Sequence, residues 1–446
     1  MTFPINAGQP AQFRPDLPKA ADVVVIGGGI IGVMTVWELA RAGVKAVLLE
    51  KGRIAGEQSS RNWGWIRAQG RDIAELPIAL EAQAMWPMLA KEAGDIGLHQ
   101  TGTLYLATSE DEIGRYRDWL DQAAPYQVST RLLSAGDVAA MMPTARRRWA
   151  GGLYTPTDMR AEPWVAVPAF AQAAVRAGAT IIEDCAARLL ELEAGRVTGV
   201  ITEKGVIKTS SVVLAGGAWS SLLLRRHGVS IPQLSVQSTA AQTDKMPEVY
   251  AGGAVDDKLA WRRRVDGGYT LAPSSFHELF IGPDAFRAFT RFVPQLIKDP
   301  LGTRFLLAAP AGFPDSWGTA RRWNGDQISP FEKMRILNPA PNSAKVAKLG
   351  RDFTQRFPDI GPTKIKSAWA GMIDTMPDVV PVVDHCAALP GLSICTGMCG
   401  HGFGIGPAMG RIMSRLATGQ DTGHDLTRFR LSRFSDGSKL VLAPNL

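Results

Sequence analysis

The stretch ADVVVIGGGIIGVMTVWELARAGVKAVLLEKG, residues 21–52, limits the possible folds more than any other part of the chain. A β-branched run over 23–26 reads as a strand, glycines turn the chain, apolar residues at helical spacing continue to about residue 42, and AVLLE reads as a second strand. Together they make one βαβ unit. Gly27, Gly29 and Gly32 match G-x-G-x-x-G, in which the first glycine permits the tight turn, the second admits a pyrophosphate, and the third lets helix and strand pack closely. Glu50 closes the second strand where an acidic residue accepts hydrogen bonds from a ribose. The phosphates are expected at the helix N-terminus, beside Ile30 and Ile31, where unpaired N–H groups and the helix dipole favour negative charge. Lys51 follows at the ribose end. Flavin and nicotinamide enzymes share this fingerprint, so it does not choose between FAD and NAD.

A chain of 446 residues, 46% hydrophobic and 20% charged, has room for two domains with proper cores. The longest apolar run, VVVIGGGIIGVM, is too short for a bilayer span and is broken by glycines, so no transmembrane helix is expected. Residues 1–19 are proline-rich and lack the layout of a secretory signal, and read as an extended arm. Cys185, Cys386, Cys395 and Cys399 form no C-x-x-C pair and have no histidine cluster at zinc spacing, which argues for no metal and for reduced thiols in the cytoplasm. The net charge of +7 is dispersed, with short triplets at 146–148 and 262–264 and no basic tail, so no nucleic-acid partner is expected.

Residues 178–224, GATIIEDCAARLLELEAGRVTGVITEKGVIKTSSVVLAGGAWSSLLL, read as several short strands that would extend the first sheet, closing with a helix start. With the N-terminal unit, GGLYTPTDMRAEPWVAVPAFAQAAVRAGATI, VVLAGGAWS, and WAGMIDTMPDVVPVVD followed by GMCGHGFGIGPAMG, the sequence resembles the D-amino-acid oxidase family of flavoproteins, which includes glycine oxidase, sarcosine oxidase and related amine dehydrogenases. The resemblance spans nearly the whole chain. It implies FAD as the dinucleotide and an α/β fold in which a Rossmann-like FAD-binding domain is interleaved with an antiparallel-sheet α+β substrate domain. The expected map assigns 20–75, 155–225 and 373–446 to FAD, and 76–154 and 226–372 to substrate. Ala187, Gly216, Gly217 and Trp219 are expected to touch the cofactor.

GMCGHGFGIGPAMG is a second glycine break, read as a loop between a strand at 392–395 and a helix at about 405–417. By the resemblance, Gly400, His401, Gly402, Phe403 and Gly404 sit where backbone N–H groups and a helix N-terminus stabilise negative charge on a reduced flavin. His401 reads as a flavin contact first and a catalyst second. The loop GEQSSRNWGWIRAQGRD supplies Ser59, Ser60, Arg61 and Asn62 as donors to phosphate or flavin oxygens, with Gly64 beside them. Trp63, Trp65 and Arg67 extend it towards the substrate side. A histidyl flavin link has no histidine here.

Amino-acid oxidases of this family hold the substrate carboxylate with an arginine where this chain aligns Gly371-Met372-Ile373-Asp374. Ile373 cannot do so. Either Arg263 or Arg67 takes the role, or the substrate is an amine without an α-carboxylate; Arg263 is set on the opposite strand face from Arg262 and Arg264, and Asp374 is a candidate partner for a cationic amine. Gly371 replaces the tethering cysteine of sarcosine oxidase-like members, so FAD is expected to be non-covalent. Thr270 replaces their oxygen-activating lysine, which leaves oxygen or a quinone as electron acceptor. The expected reaction is oxidation of a C–N bond in an amino acid or secondary amine by hydride transfer to flavin N5, giving an imine that hydrolyses. The alternatives are a 2-hydroxy-acid dehydrogenase on the same scaffold and an FAD-bearing subunit that needs a partner subunit.

Overall fold

The computed structural model describes residues 4–275, 277–300 and 302–444. The N-terminal unit forms β1 (Val23–Ile26), α1 (Ile30–Arg41) and β2 (Ala46–Leu49). Strand β1 is fully buried and pairs in parallel with β2 on one side and with β4 (Val212–Leu214) on the other. The sheet is completed by β3 (Thr180–Ile182) outside β2, and by β6 (Leu392–Thr396) and antiparallel β5 (Val382–His385) outside β4. Gly27 turns the chain at φ +112°, and an added Cβ there would collide with Ala215 O. A Cβ on Gly32 would collide with Gly27 O, so these two glycines fix how closely α1 approaches the strand.

Residues 187–208 depart from the expectation that they extend the first sheet. Ala187–Glu193, Arg196–Thr202 and Gly205–Lys208 pair only with one another, as a separate antiparallel meander. Their tight turns, with Gly195 and Gly205 at positive φ, return each strand onto the previous one, which a parallel addition does not allow.

A second, larger sheet carries Leu234–Thr243, Leu259–Arg263, Tyr269–Pro273 and Ile365–Thr375, and is antiparallel at most junctions. Its ribbon of Leu234–Thr243 and Ile365–Thr375, in register from Leu234 opposite Thr375 to Gln242 opposite Ser367 and shifted by one residue at Thr243, delivers residues to the cavity described below. Arg262 in this sheet is buried and bound by both guanidinium arms to the buried Glu162, at 3.0 and 2.9 Å.

The helical layer is α1, α2 (Leu76–Ala93), α3 (Pro163–Arg176) and α5 (Gly402–Ala417), packed on one another, with α4 (Pro283–Lys298) on the far sheet. The second glycine break is less a loop than expected, because α5 begins at Gly402 and takes in Gly404, Gly406 and Gly410. These small residues permit close contact with α1: a Cβ on Gly410 would lie 2.6 Å from the Met34 carbonyl carbon. Gly410→Val is expected to lower stability by about 1–3 kcal/mol through overpacking, measured by chemical denaturation of the cofactor-free protein.

Candidate functional site

One cavity of about 950 Å³ runs between the two sheets. Two helix N-termini open onto it. At the first, Gly27, Gly29, Ile30 and Ile31 line the wall, and no acidic side chain stands in the first turn of α1. Ser59 Oγ accepts the Ile30 N–H at 2.9 Å, which leaves the hydroxyl proton for an incoming oxygen. A Cβ on Gly29 would meet only Ser59 Oγ, at 3.0 Å, so the space above Gly29 is open to a ligand. Gly32 stands outside the lining, in its packing role.

Glu50 lines the same end, with Oε2 accepting from Gly28 N at 2.7 Å and Oε1 from Gly52 N at 2.6 Å. Burial raises its pKa to about 7, against the opposing charge of Lys51. Ala187, Gly216, Gly217 and Trp219 line the wall nearby. Lys51 also reaches the cavity, but its ammonium is bound to Glu57 and to the carbonyls of Met334 and Arg335, and lies over the Trp219 ring. It therefore ties residues 334–337 over this end of the cavity.

The loop after β2 offers fewer donors than its sequence promised. Arg61 lines the cavity, yet its guanidinium donates to Asn338 Oδ1, Ala370 O and Gly56 O, and burial lowers its pKa to about 10. Ser60 is buried outside the lining with its hydroxyl towards Glu57 O. Asn62 closes its own turn, donating to Ser59 O and accepting from Gly64 N, and Gly64 packs behind it against Ala161 and Arg262. Ser59 and the backbone amides remain as the donors facing inwards.

At the second helix N-terminus, Gly400, His401, Gly402 and Phe403 line the cavity, and no side chain caps α5. Gly404 lies outside the lining: its carbonyl accepts the Trp86 indole N–H at 2.9 Å, and Trp86 packs on Phe403 with ring centroids 5.0 Å apart. Asp374 holds this turn from below. Its buried carboxylate accepts from Gly397 N at 2.6 Å and from the Thr396 hydroxyl at 3.2 Å, and its carbonyl accepts from Cys399 N. Both of these carboxylate bonds fall on Oδ2, which ties that oxygen to the loop, and burial raises the pKa of the group. Gly371 presents no side chain to the cavity. The Cys399 thiol accepts from Met376 N at 3.3 Å and is pushed far above the ordinary thiol range by burial.

Beyond α5 the cavity is lined by Trp63, Trp65, Tyr105, Ala240 and Ile373, with Arg67 and Arg71 among them. Arg67 lies over the Tyr105 ring, 5.4 Å from its centroid, and donates to Gln69 O. Arg71 is 3% exposed, donates to Arg67 O, and has an Nη1 without a partner among the described residues. Burial, with Arg67 beside it, lowers its pKa to about 9. Arg263 is elsewhere: it is absent from the lining, donates to Met246 O at 2.9 Å and lies over Tyr269. The strand alternation was read correctly but the cavity is on neither face at that position, because Arg262 and Arg264 point into their own ion pairs with Glu162 and Asp266. Arg71 and Glu75 were missed by the sequence reading, although the run Arg67, Arg71, Glu75 recurs every fourth residue through a loop otherwise sparse in charge.

The pyrophosphate cradle, the buried acid at the strand end and the uncapped helix facing a flat apolar slot fit a flavin dinucleotide. A family model described as FAD dependent oxidoreductase, DAO, matches residues 22–416. The chain belongs to the DAO family. Over 95% of its length it superposes on L-amino acid deaminase from Proteus myxofaciens, covering 97% of that chain at a TM-score of 0.90 and 29% identity. It is 25% identical to glycine oxidase of Geobacillus kaustophilus over 426 residues, 92% of this chain and 97% of the relative. It is also 30% identical to mouse mitochondrial sarcosine dehydrogenase over 239 residues, which is 52% of this chain but 26% of that longer protein. As a DAO-family member the chain is an FAD-dependent oxidoreductase, and with Gly371 and Cys399 as described the FAD is held without a covalent link. Among the described residues no helix is long and apolar enough to cross a membrane.

Gly29→Val is expected to abolish FAD retention while leaving the denaturation midpoint of the cofactor-free protein unchanged, because only Ser59 borders the added methyls. Glu50→Ala is expected to weaken FAD binding by about 1.5–3 kcal/mol, the worth of hydrogen bonds to a charged group, read by titration of flavin fluorescence.

Proposed function

We propose that this enzyme oxidises the C–N bond of an amino acid or secondary amine, by hydride transfer to flavin N5, to an imine that hydrolyses in water. The observation that carries this reading is the pairing of Arg67 and the part-unsatisfied Arg71 with an apolar wall of Trp63, Trp65 and Ala240, next to the N-terminus of α5. A guanidinium pair suits a carboxylate, and the apolar wall suits a carbon side chain or an N-alkyl group. The relatives named above, a glycine oxidase, an L-amino acid deaminase and a sarcosine dehydrogenase, are consistent with such a substrate.

The bound FAD supplies the two-electron acceptor. The chain's own contribution is positional and electrostatic: the arginines fix the carboxylate end, the tryptophans exclude water, and the uncapped N-terminus of α5 would favour negative charge on a flavin held in the cavity. The FAD-binding domain is assigned to segments 20–75, 155–225 and 373–446 and the substrate domain to 76–154 and 226–372, with Trp63, Trp65, Arg67 and Arg71 reaching the substrate end from the first of these segments. Four unpaired cysteines suit a reducing, cytoplasmic setting. Thr270, where an oxygen-activating lysine stands in the sarcosine oxidase-like members, is buried beside Arg262, which favours a quinone over oxygen as acceptor.

Anaerobic mixing with glycine, sarcosine, L-proline, L-phenylalanine and L-lactate tests the reading. Bleaching of the flavin by one of the amines supports it, and bleaching by lactate alone overturns it in favour of a hydroxy-acid dehydrogenase. Dye-linked turnover by the purified chain alone removes the need for a partner subunit. Arg67→Ala is expected to raise KM for a carboxylated substrate about ten- to a hundredfold, the loss of a charged pair of roughly 1.5–3 kcal/mol, with FAD retained. Precipitation with acid is expected to leave all the flavin in the supernatant.

A further inference from the structure

Behind the substrate end of the cavity lies a carboxylate that the proposed reaction has not yet used. Glu75, immediately before α2, is 0% exposed, and neither of its oxygens has a hydrogen-bond partner among the described residues. A buried, unsatisfied carboxylate costs several kcal/mol unless a neighbouring charge or donor offsets it. Its neighbour is His401, whose Nδ1 is buried and lies 3.3 Å from Glu75 Oε2. His401 is held by its backbone N–H to Met398 O at 2.7 Å, and its ring reaches the cavity with 18% of the side chain exposed. Nε2 is not among the buried unpartnered atoms, so the open edge of the ring is the one away from Glu75.

The geometry points to a dyad in which the Glu75 carboxylate, 3.3 Å from Nδ1, faces that edge of the His401 ring and stabilises positive charge on it, so that Nε2, on the cavity side, takes the proton from the ammonium nitrogen of the substrate. The inference rests on the amine reading above. One N–H bond of the ammonium breaks and one Nε2–H bond forms; the positive charge passes from the substrate nitrogen to the imidazolium, beside the Glu75 carboxylate. The substrate nitrogen is left with the lone pair that a departing hydride requires, whereas an aliphatic amine in water, with a reference pKa of about 10.4 for lysine, is otherwise protonated at neutral pH. His401 is the catalytic residue and Glu75 the positioning residue, with the division of labour of an acid-oriented histidine base.

The charges facing the ring all come from the loop before α2. Burial and Arg71 push His401 down to about 4, against Glu75, with Arg67 adding to the downward push. Burial raises Glu75, but His401, Arg71 and Arg67 outweigh it and keep the acid below its ordinary value. Tyr105, stacked on Arg67, and Asp158, whose carboxylate accepts from Ala68 N, stand behind these arginines. A substrate carboxylate on Arg67 and Arg71 removes their repulsion of a proton on His401, so the base is strengthened only when a carboxylated substrate is present.

The test uses the FAD-loaded enzyme and whichever amine of the panel bleaches it, with anaerobic reduction followed from pH 6 to pH 10. Glu75→Gln and His401→Asn are expected to slow reduction about a hundredfold at pH 7, the scale of general-base catalysis, and to approach the wild-type rate at pH 10, where about a third of an amine of that reference pKa enters already deprotonated. Glu75→Asp, which keeps the charge, is expected to recover part of the loss at pH 7. An independent readout is the His401 imidazole resonance, assigned among the six histidines by its loss in His401→Asn. Its pKa is expected to rise when benzoate is added to the wild type, and to be lower in Glu75→Gln. A defect in Glu75→Gln that is equal at every pH, or an imidazole pKa unmoved by the substitution, overturns the dyad while leaving the amine reading intact. Bleaching by lactate alone overturns both.

Discussion

The site depends on the convergence of two helix N-termini on one cavity. An α-helix leaves its first N–H groups unpaired, and a side-chain cap or first-turn acid usually answers them. Neither α1 nor α5 carries a first-turn acid or a capping hydrogen bond from its own N-cap side chain. Both begin at glycine-rich turns, and each is pressed against the other through Gly406 and Gly410. The packing of α1 on α5 therefore does more than fill the core: it sets the distance between the end that suits phosphates and the end that suits the ring of the same ligand. Trp86 clamps this arrangement from α2 by bonding the Gly404 carbonyl and stacking on Phe403.

The sequence made the first of these ends legible because its constraints are local. Gly27, Gly29, Gly32 and Glu50 are separated by short, fixed geometry, and the structure has a tight turn at Gly27, open space at Gly29, close packing at Gly32 and, at Glu50, a carboxylate that accepts from Gly28 and Gly52. The second end was legible in place but not in form, since a run of glycines reads as a loop and the helix forms through it only because α1 is there to meet Gly406 and Gly410. Propensity disfavours glycine in a helix by roughly 1 kcal/mol each; tertiary contact decides otherwise.

Side-chain assignments failed where a residue type was taken as free. Arg61, Lys51 and Asp374 all have the chemistry to hold a ligand and all line the cavity, but bonds within the chain already engage them: Arg61 with Ala370 O, Lys51 with Glu57 and with Arg335 O, and Asp374 Oδ2 with Gly397 N. Arg263 failed for a different reason: alternation along a strand gives two faces, and it cannot say that the ligand lies beyond both. No local pattern reveals such long-range partners, which is why the substrate end was the least legible part of the chain.

The buried arginines show what distinguishes a structural cation from one that waits for a ligand. Arg262 and Arg356 are matched by Glu162 and Asp256, with two hydrogen bonds each, and these pairs hold the large sheet. Arg61 is matched by carbonyls instead. Arg160 and Arg321, and Arg262 at Nε, also keep a buried nitrogen without a partner among the described residues, yet of these it is Arg71 that lines the cavity. Its charge is repelled by Arg67 and only partly answered by Glu75, which in turn faces His401. Two guanidiniums meet here with the carboxylates of Glu75 and, behind them, Asp158, yet Arg71 Nη1 still has no partner among the described residues. A ligand carboxylate that reaches this end answers that nitrogen, which an apolar or cationic group does not. On the proposed amino-acid reading that carboxylate is the substrate's, and its contact with Arg67 and Arg71 weakens the push by which they hold His401 below its ordinary value.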